Sequence, residues 1–268
     1  MKVVLFCGGL GTRLREHSDT IPKPLVNVGY RPIIWHLMRY YAHFGHTEFI
    51  LCLGYRGDLI KDYFVNYAEW ASNDFILSDG LKKIEPLNVD VQDWKITFVE
   101  TGLHANIGQR LCAVRPHLES EQYFLANYSD ALADVPLAEY ADAVMKRDVI
   151  GGIVAVRPAQ SFHSVSSGDD GLVDHVGPIR DAGFWLNGGY FLFRHDIFDY
   201  IRPGEELVEQ PFQRLINDRK LFAYRHGGFW AAMDTFKDKI AFDRMNGRGD
   251  TPWKVWVGAT AAGHPAPQ

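Results

Sequence analysis

The sequence predicts an α/β protein, a Rossmann-like mixed and mostly parallel sheet flanked by helices. Three observations carry that prediction. Short apolar runs rich in branched side chains alternate with longer stretches of helical period along the 268 residues. The first run ends in a glycine cluster, Gly8, Gly9 and Gly11, and such a cluster after a strand lets a backbone come very close to something. No internal repeat and no linker divides the chain. Residues 1–256 are therefore read as one domain, and 257–268, which has no apolar period, as a flexible tail.

The elements follow in order. "KVVLFC" reads as a buried strand. "RPIIWHLMRYYAHFG" reads as a helix with Pro32 in its first turn and Gly45 at its end, and Ile33, Ile34, Leu37, Tyr40 and Tyr41 keep helical spacing. "EFILCLGY" is a strand, and "RGDLIKDYFVNYAEWAS" a helix close behind Gly54. "WKITFVET" alternates as a strand does. "QYFLANYSDA" is a strand whose apolar part gives way to Asp130, and "VPLAEYADAVMKR" is a helix. "VIGGIVAV" and "WLNGGYFLF" are further strands. A helix starts near Glu209, "LFAYRHGG" is a late strand, and "DTFKDKIAFDRMNG" closes with a helix. The polar stretch Gln160 to Gly171 reads as a surface loop or hairpin.

Composition removes whole classes of function. A formal net charge of −5 argues against a general nucleic-acid binder, whose footprint is basic. Three cysteines, Cys7, Cys52 and Cys112, are too few and too scattered for a disulfide framework or a cysteine-based zinc site. No run approaches the roughly 20 apolar residues of a membrane helix, and the apolar start is too short for a signal peptide. A cytoplasmic setting is expected. Ordinary packing is the expected use of the histidines on the first helix and of Trp94, Trp185, Trp230, Trp253 and Trp256, with lining of an acceptor pocket or an oligomer contact as the alternative for the tryptophans.

The glycine cluster is neither G-x-G-x-x-G nor G-x-x-x-x-G-K-[ST]. What remains is a loop whose backbone N–H groups can face phosphate oxygens, with Arg13 as an adjacent planar cation; a tight turn beside an exposed arginine is the plainer alternative. Lys23 stands between Pro22 and Pro24, which restrict the backbone on both sides of it. A lysine stiffened in this way suits a placed cation.

"GGLGTRL" with "PKPL" and "PIIWHLM" behind it resembles the signature of the sugar-1-phosphate nucleotidyltransferases. "GYRGDLIKDYFVNY", "WKITFVETG", "NGGYFLF", "GFWAAMDTFKDK" and "PWKVW" are similar to the glucose-1-phosphate cytidylyltransferases within them, in order from Lys2 to Trp256. The resemblance implies attack by a sugar phosphate oxygen on the α-phosphorus of a nucleoside triphosphate, with pyrophosphate leaving. It assigns Arg13 and Lys23 to the phosphate charge. It assigns Leu5, Cys7, Gly8, Gly9, Gly11, Thr12, Arg110 and Tyr128 to the nucleotide. Asp130 and Asp234 would hold Mg²⁺, and Asn187 and Gly188 match sugar-side contacts. Asp130 also ends a strand, where ligands of open α/β sheets gather. Other roles stand beside these: a turn or helix cap for Asp130, better suited to Asp134, and an N-cap for Asp234. Cys7 reads as a packed residue and not a reactive thiol.

Two departures matter. Tyr128, Ser129, Asp130 and Ala131 replace the family's Y-G-D-G, so side chains stand where glycines were expected. The family's Glu-Lys-Pro, whose lysine holds the acceptor phosphate, is missing; Gly177 and Pro178 occupy the places of its Glu and Lys, leaving Arg180 or His175 as substitutes. The expected partners are CTP and a phosphorylated acceptor resembling glucose 1-phosphate, with the chain as a homo-oligomer. Another nucleotide, another acceptor, or a binding protein without catalysis are the competing readings.

Overall fold

The computed structural model describes residues 1–9, 21–91, 93–158 and 162–257. β1 (Val3–Phe6) leads into the glycine segment. After a 3₁₀ turn at Lys23–Leu25, a short ribbon of β2 (Asn27–Val28) and β3 (Arg31–Pro32) delivers the chain to α1 (Ile33–His43). β4 (Glu48–Leu53) and α2 (Gly57–Val65) follow, then a hairpin of β5 (Phe75–Ser78) and β6 (Lys83–Pro86). β7 (Lys95–Glu100), α3 (Ile107–Val114), β8 (Tyr123–Asn127), the short β9 (Ala131–Ala133) and α4 (Leu137–Met145) come next. β10 (Gly151–Val156) precedes a hairpin of β11 (His163–Ser167) and β12 (Val173–Pro178). The chain ends with β13 (Leu186–Arg194), α5 (Gln210–Asn217), β14 (Leu221–His226), β15 (Trp230–Ala232) and α6 (Phe236–Arg248).

The central sheet has seven strands in the order β14-β10-β13-β8-β1-β4-β7. Every pairing is parallel except those of β13, which runs against both β8 and β10. This is the predicted mixed, mostly parallel sheet with helices on both faces. β1 shows why its sequence is apolar throughout. Val3 and Leu5 enter the core under α1 and α4, while Val4 and Phe6 enter the core under α3 and α5. A strand covered on both faces has no solvent side for a polar residue.

Because the parallel strands share a direction, their carboxyl ends form one rim. Cys7 to Gly9, Gly54, Thr101, Ser129, Arg157 and Gly227 all leave the sheet along that rim. It is where an open α/β sheet can hold a ligand.

Two local expectations are corrected. The helix expected to run through Ser72 stops at Val65. Arg31 explains the stop: its guanidinium lies 4.2 Å from the Tyr67 ring centre and donates to the Ala68 carbonyl at 2.8 Å, which requires a non-helical path there. Asp134 is not a helix cap, since Pro136 precedes α4. Its carboxylate accepts from the Phe229 N–H at 2.7 Å and meets His226 Nε2 at 2.8 Å, tying β9 to the turn between β14 and β15. The polar stretch after Gln160 enters the β11–β12 hairpin, one of its two expected forms. Among the described residues no helix is long and apolar enough to cross a membrane.

Candidate active site

The glycine turn after β1 is built on an arginine from α3. Asn106 caps that helix by accepting from the Gln109 N–H at 2.8 Å, and the Gln109 side chain accepts from the Asn106 N–H at 2.9 Å. The box fixes Arg110 in the first turn, where only 3 % of its surface is exposed. Its guanidinium donates to the Gly8 carbonyl at 2.9 Å, the Leu53 carbonyl at 3.1 Å and the Thr101 hydroxyl at 2.7 Å. Three strand ends, of β1, β4 and β7, are thereby clamped by one side chain.

Gly8 owes its identity to that clamp. A Cβ at this position would lie inside van der Waals contact with Nη1 and Cζ of Arg110, and a Cβ on Gly54 would crowd Nη1 from the other side. Arg110 is thus neither a surface arginine nor, in this geometry, free to reach a ligand; its donors end on the turn. Leu5 is fully buried in β1, paired with Leu51 on one side and Asn127 on the other. The first open backbone is at Gly9, which is exposed and has nothing within 4 Å of its Cβ position.

Lys23 stands at the centre of the rim. Its ammonium lies 2.8 Å from Asp130 Oδ2 and 2.7 Å from Asp234 Oδ1. Burial works against the charged amine, but the two carboxylates outweigh it and hold Lys23 above the ordinary lysine value. Burial lifts the Asp130 carboxyl above its ordinary value, with Lys23 opposing it. The helix-cap alternative for Asp234 falls away. Thr235 caps α6 in a box with Asp238, leaving the Asp234 carboxylate on Lys23. Gly9, Cys7, Lys23, Tyr128 and Asp130 line one small cavity of about 70 Å³. The Cys7 thiol is pushed up to about 12 by burial, as suits a packed residue.

Ser129 shows how the Y-G-D-G departure is accommodated. Its φ is +62°, the left-handed region where glycine was expected. Two hydrogen bonds hold it there: its N–H donates to Asn127 Oδ1 at 2.9 Å and its hydroxyl to the Phe6 carbonyl at 2.7 Å. The serine side chain turns into the sheet and leaves the path to Asp130 open.

The residues expected to face an acceptor lie across β13. Asn187 Nδ2 donates to the Tyr128 hydroxyl at 3.4 Å, and its Oδ1 accepts from the Gly189 N–H at 3.0 Å. Gly189 adopts φ +75°, and a Cβ there would press on the Tyr128 ring, so glycine is required. The Gly188 carbonyl accepts from Trp230 Nε1 at 2.9 Å. Beyond it opens a cleft of about 1030 Å³ between the β11–β12 hairpin and the turn before β15, lined by Arg157, His163, Arg180 and Trp230 among others. Arg180 lies on its wall just after Pro178. His175 lies over Gly177 on the hairpin instead. Gly11, Thr12 and Arg13 lie outside the described residues.

Sequence reasoning missed Arg157 and Arg225 at this end, and of the tryptophans it weighed as pocket lining or core, Trp230 lines the cleft and Trp185 carries both arginines. The period of two along "WLNGGY" puts Trp185 on the same strand face as Asn187, and that signal was available. The neighbours across β10 and β14 depend on register.

The carboxylates suit a hard divalent cation. Asp130 and Asp234 flank one point, which the Lys23 ammonium occupies. Among the described residues no cluster of three or more acidic, histidine or cysteine side chains forms a closed cage. Two carboxylates facing one point are oxygen donors of the kind a hard cation such as Mg²⁺ takes.

The sequence profile described as "Nucleotidyl transferase" matches residues 2–237. A Bacillus subtilis (strain 168) protein named "Probable glucose-1-phosphate cytidylyltransferase" is 35% identical over 258 residues, covering 96% of this chain and 100% of its own. The glucose-1-phosphate cytidylyltransferase of Salmonella typhimurium is 33% identical over 257 residues, with the same coverage of 96% and 100%. The solved structure of a UDP-glucose pyrophosphorylase with UDP-glucose superposes with a TM-score of 0.68 at 15% identity, covering 92% of this chain and 98% of its own. That last likeness is one of fold.

Proposed function

The chain belongs to the nucleotidyl transferase family, and from that membership and the geometry of the rim we propose that it transfers the cytidylyl group of CTP to a sugar 1-phosphate. As a sugar-1-phosphate nucleotidyltransferase it forms a bond from an acceptor phosphate oxygen to the α-phosphorus while the bond to pyrophosphate breaks. The choice of CTP and of a glucose 1-phosphate-like acceptor is supported by relatives whose names carry that activity.

The reaction asks for no protein base. A phosphate monoester has its second pKa near about 6, so the attacking oxygen is already ionised at neutral pH. Side chains serve by position and charge. Lys23, stiffened by Pro22 and Pro24 in its 3₁₀ turn, offers a positive charge beside the α-phosphate. Gly9 offers open backbone, and the Arg110 clamp holds the turn before it in one shape. Asp130 and Asp234 would hold Mg²⁺, which supplies positive charge to the crowded phosphate oxygens. Asn187 faces the acceptor, and Tyr128, on the nucleotide side, links it to the strand that carries Asp130.

The observation that carries this reading is the ammonium of Lys23 seated between Asp130 and Asp234. Pyrophosphate release tests it: each of four nucleoside triphosphates is combined with a panel of sugar 1-phosphates, with and without Mg²⁺. Release that needs CTP, Mg²⁺ and an acceptor is expected. Equal release with all four nucleotides removes the cytidylyl assignment. Pro178 in the place of the acceptor lysine favours a second reading, a phosphorylated acceptor other than glucose 1-phosphate, and the same panel tests it. A homo-oligomer belongs to the proposal as well; the β5–β6 hairpin exposes Ile76, Leu81 and Ile84, apolar surface of the kind a second copy covers. Light scattering after size-exclusion chromatography checks it.

A further inference from the structure

Among the described residues, two arginines at the acceptor end have no acidic partner. Arg157 follows β10, and Arg225 is the penultimate residue of β14. Both side chains are exposed, and among the described residues neither guanidinium has an ion pair or hydrogen bond. Both meet the same ring instead: the guanidinium carbon of Arg157 lies 4.4 Å, and that of Arg225 5.5 Å, from the centre of Trp185. A cation on an aromatic face keeps its N–H edge free. Two like charges sharing one ring repel, and an anion between them would remove the repulsion. Guanidinium forks suit carboxylate and phosphate groups.

Register fixes where this pair stands relative to the rest of the site. Ala155 of β10 pairs with Asn187 of β13 on one side and with Arg225 of β14 on the other. One step beyond the last pair, Val156 with Leu186, come Arg157 and Trp185. By the period of two, Asn187, Arg225, Arg157 and Trp185 therefore share one face of the sheet. Asn187 in turn contacts Tyr128, the second residue before Asp130. The order along the rim is Asp130, Tyr128, Asn187, then the arginine pair. From β8 to β10 and β14 is two to three strand spacings, roughly 10–14 Å of backbone separation. An acceptor whose phosphate reacts beside Asp130 and whose ring meets Asn187 turns its far end to Arg157 and Arg225.

We propose that Arg157 and Arg225, seated on Trp185, form a subsite for a second anionic group at the far end of the acceptor. The favoured acceptor is then a sugar 1-phosphate that also bears a carboxylate or a phosphate remote from its anomeric carbon. This rests on the proposed function only for the place of the reacting phosphate. It gives the missing lysine a counterpart: anchoring charge absent at Pro178 is present at the opposite end of the acceptor.

The test compares three acceptors on one ring: glucose 1-phosphate, glucuronic acid 1-phosphate and glucose 1,6-bisphosphate. With CTP, kcat/KM for at least one doubly anionic acceptor is expected to exceed that for glucose 1-phosphate by roughly tenfold to a hundredfold. The two anionic acceptors distinguish a carboxylate from a phosphate preference. Arg157→Ala and Arg225→Ala together bring the ratio close to one, Arg225→Glu brings it below one, and Arg225→Lys retains part of it. No preference, or a preference that survives in the double variant, overturns the subsite. Calorimetric titration of the same two acceptors without nucleotide gives a readout independent of turnover. Tighter binding by the unsubstituted protein than by the double variant supports the subsite even if CTP is the wrong nucleotide. Equal binding, or none, overturns it. If no acceptor gives CTP-dependent release yet the arginine-dependent binding is measured, the cytidylyl reading fails and the subsite stands.

Discussion

Arg110 and Arg157 both stand at the rim of the same sheet, yet their surroundings are opposite. Arg110 is buried, and its donors end on the Gly8, Leu53 and Leu103 carbonyls and the Thr101 hydroxyl, at or just beyond three strand ends. Arg157 is exposed, lies on Trp185 and has no hydrogen-bonding partner among the described residues. The first cation shapes the turn on the nucleotide side, and the second leaves its donors open on the acceptor side. The difference separates two duties. On the proposed function, the half that would handle the triphosphate is held by internal contacts, while the half that would choose the acceptor presents open groups on a wide cleft.

Breaking the nucleotide half at its chemical centre has the largest expected effect. Asp130→Asn keeps the shape and removes one charge beside Lys23. CTP-dependent pyrophosphate release is expected to fall by about a thousandfold or more, equivalent to about 4 kcal/mol of barrier, with a melting curve little changed. Undiminished turnover would falsify the site assignment.

Removing the clamp acts on stability. Arg110→Ala leaves the buried Gly8 and Leu53 carbonyls without this donor, a loss of roughly 3 kcal/mol in urea unfolding. A loss under about 1 kcal/mol would mean that Arg110 does not hold the turn.

The interior under the nucleotide half is also sensitive to pH. His36 on α1 is buried, its Nε2 is 2.9 Å from the Val28 carbonyl, and burial lowers it to about 4. Its folded value lies below the unfolded value of about 6.5, so the unfolded chain takes the proton first. The contribution is present above pH about 6.5 and is lost as pH falls toward about 4, roughly 3 kcal/mol in all. Unfolding free energies across that window, with His36→Gln as the control, should show a shallower slope in the variant. An unchanged slope assigns the dependence to other groups.

A double-mutant cycle sharpens the clamp argument. Gly8→Ala should cost roughly 1–3 kcal/mol by overpacking against Arg110, and clearly less when residue 110 is already alanine. Additive losses would show that the crowding lies elsewhere. The smallest effect belongs to the open half: Arg180→Ala should raise the acceptor KM by roughly tenfold, about 1.4 kcal/mol, and leave the CTP KM alone. A shift in the CTP KM instead would place Arg180 on the wrong substrate.

Much of this is legible in the sequence. β1, α1, β4, β7 and β8 follow from apolar period and from Pro32 and Gly45, because those signals act over a few residues. Lys23 between two prolines and Asp130 at a strand end were visible in the same way. Less legible were features whose cause is distant in the chain. Glycine at position 8 has a cause the local sequence does not show, since its neighbour is Arg110, 102 residues away. The helix after Gly57 was read too long because the pull of Arg31 on Tyr67 and Ala68 leaves no local trace.

By itself the sequence determined the alternation of strands and helices, the two-sided burial of β1, and which residue types could meet phosphate and a hard cation. Those properties depend on spacing along the chain and on side-chain chemistry. Only the tertiary structure decided that Lys23 bridges Asp130 and Asp234, the latter 211 residues distant, that Arg110 turns inward, and that Arg157 and Arg225 share Trp185. Each of these depends on strand order and register, which bring remote residues within reach, and a register shift of one residue would turn the same side chains to the opposite face.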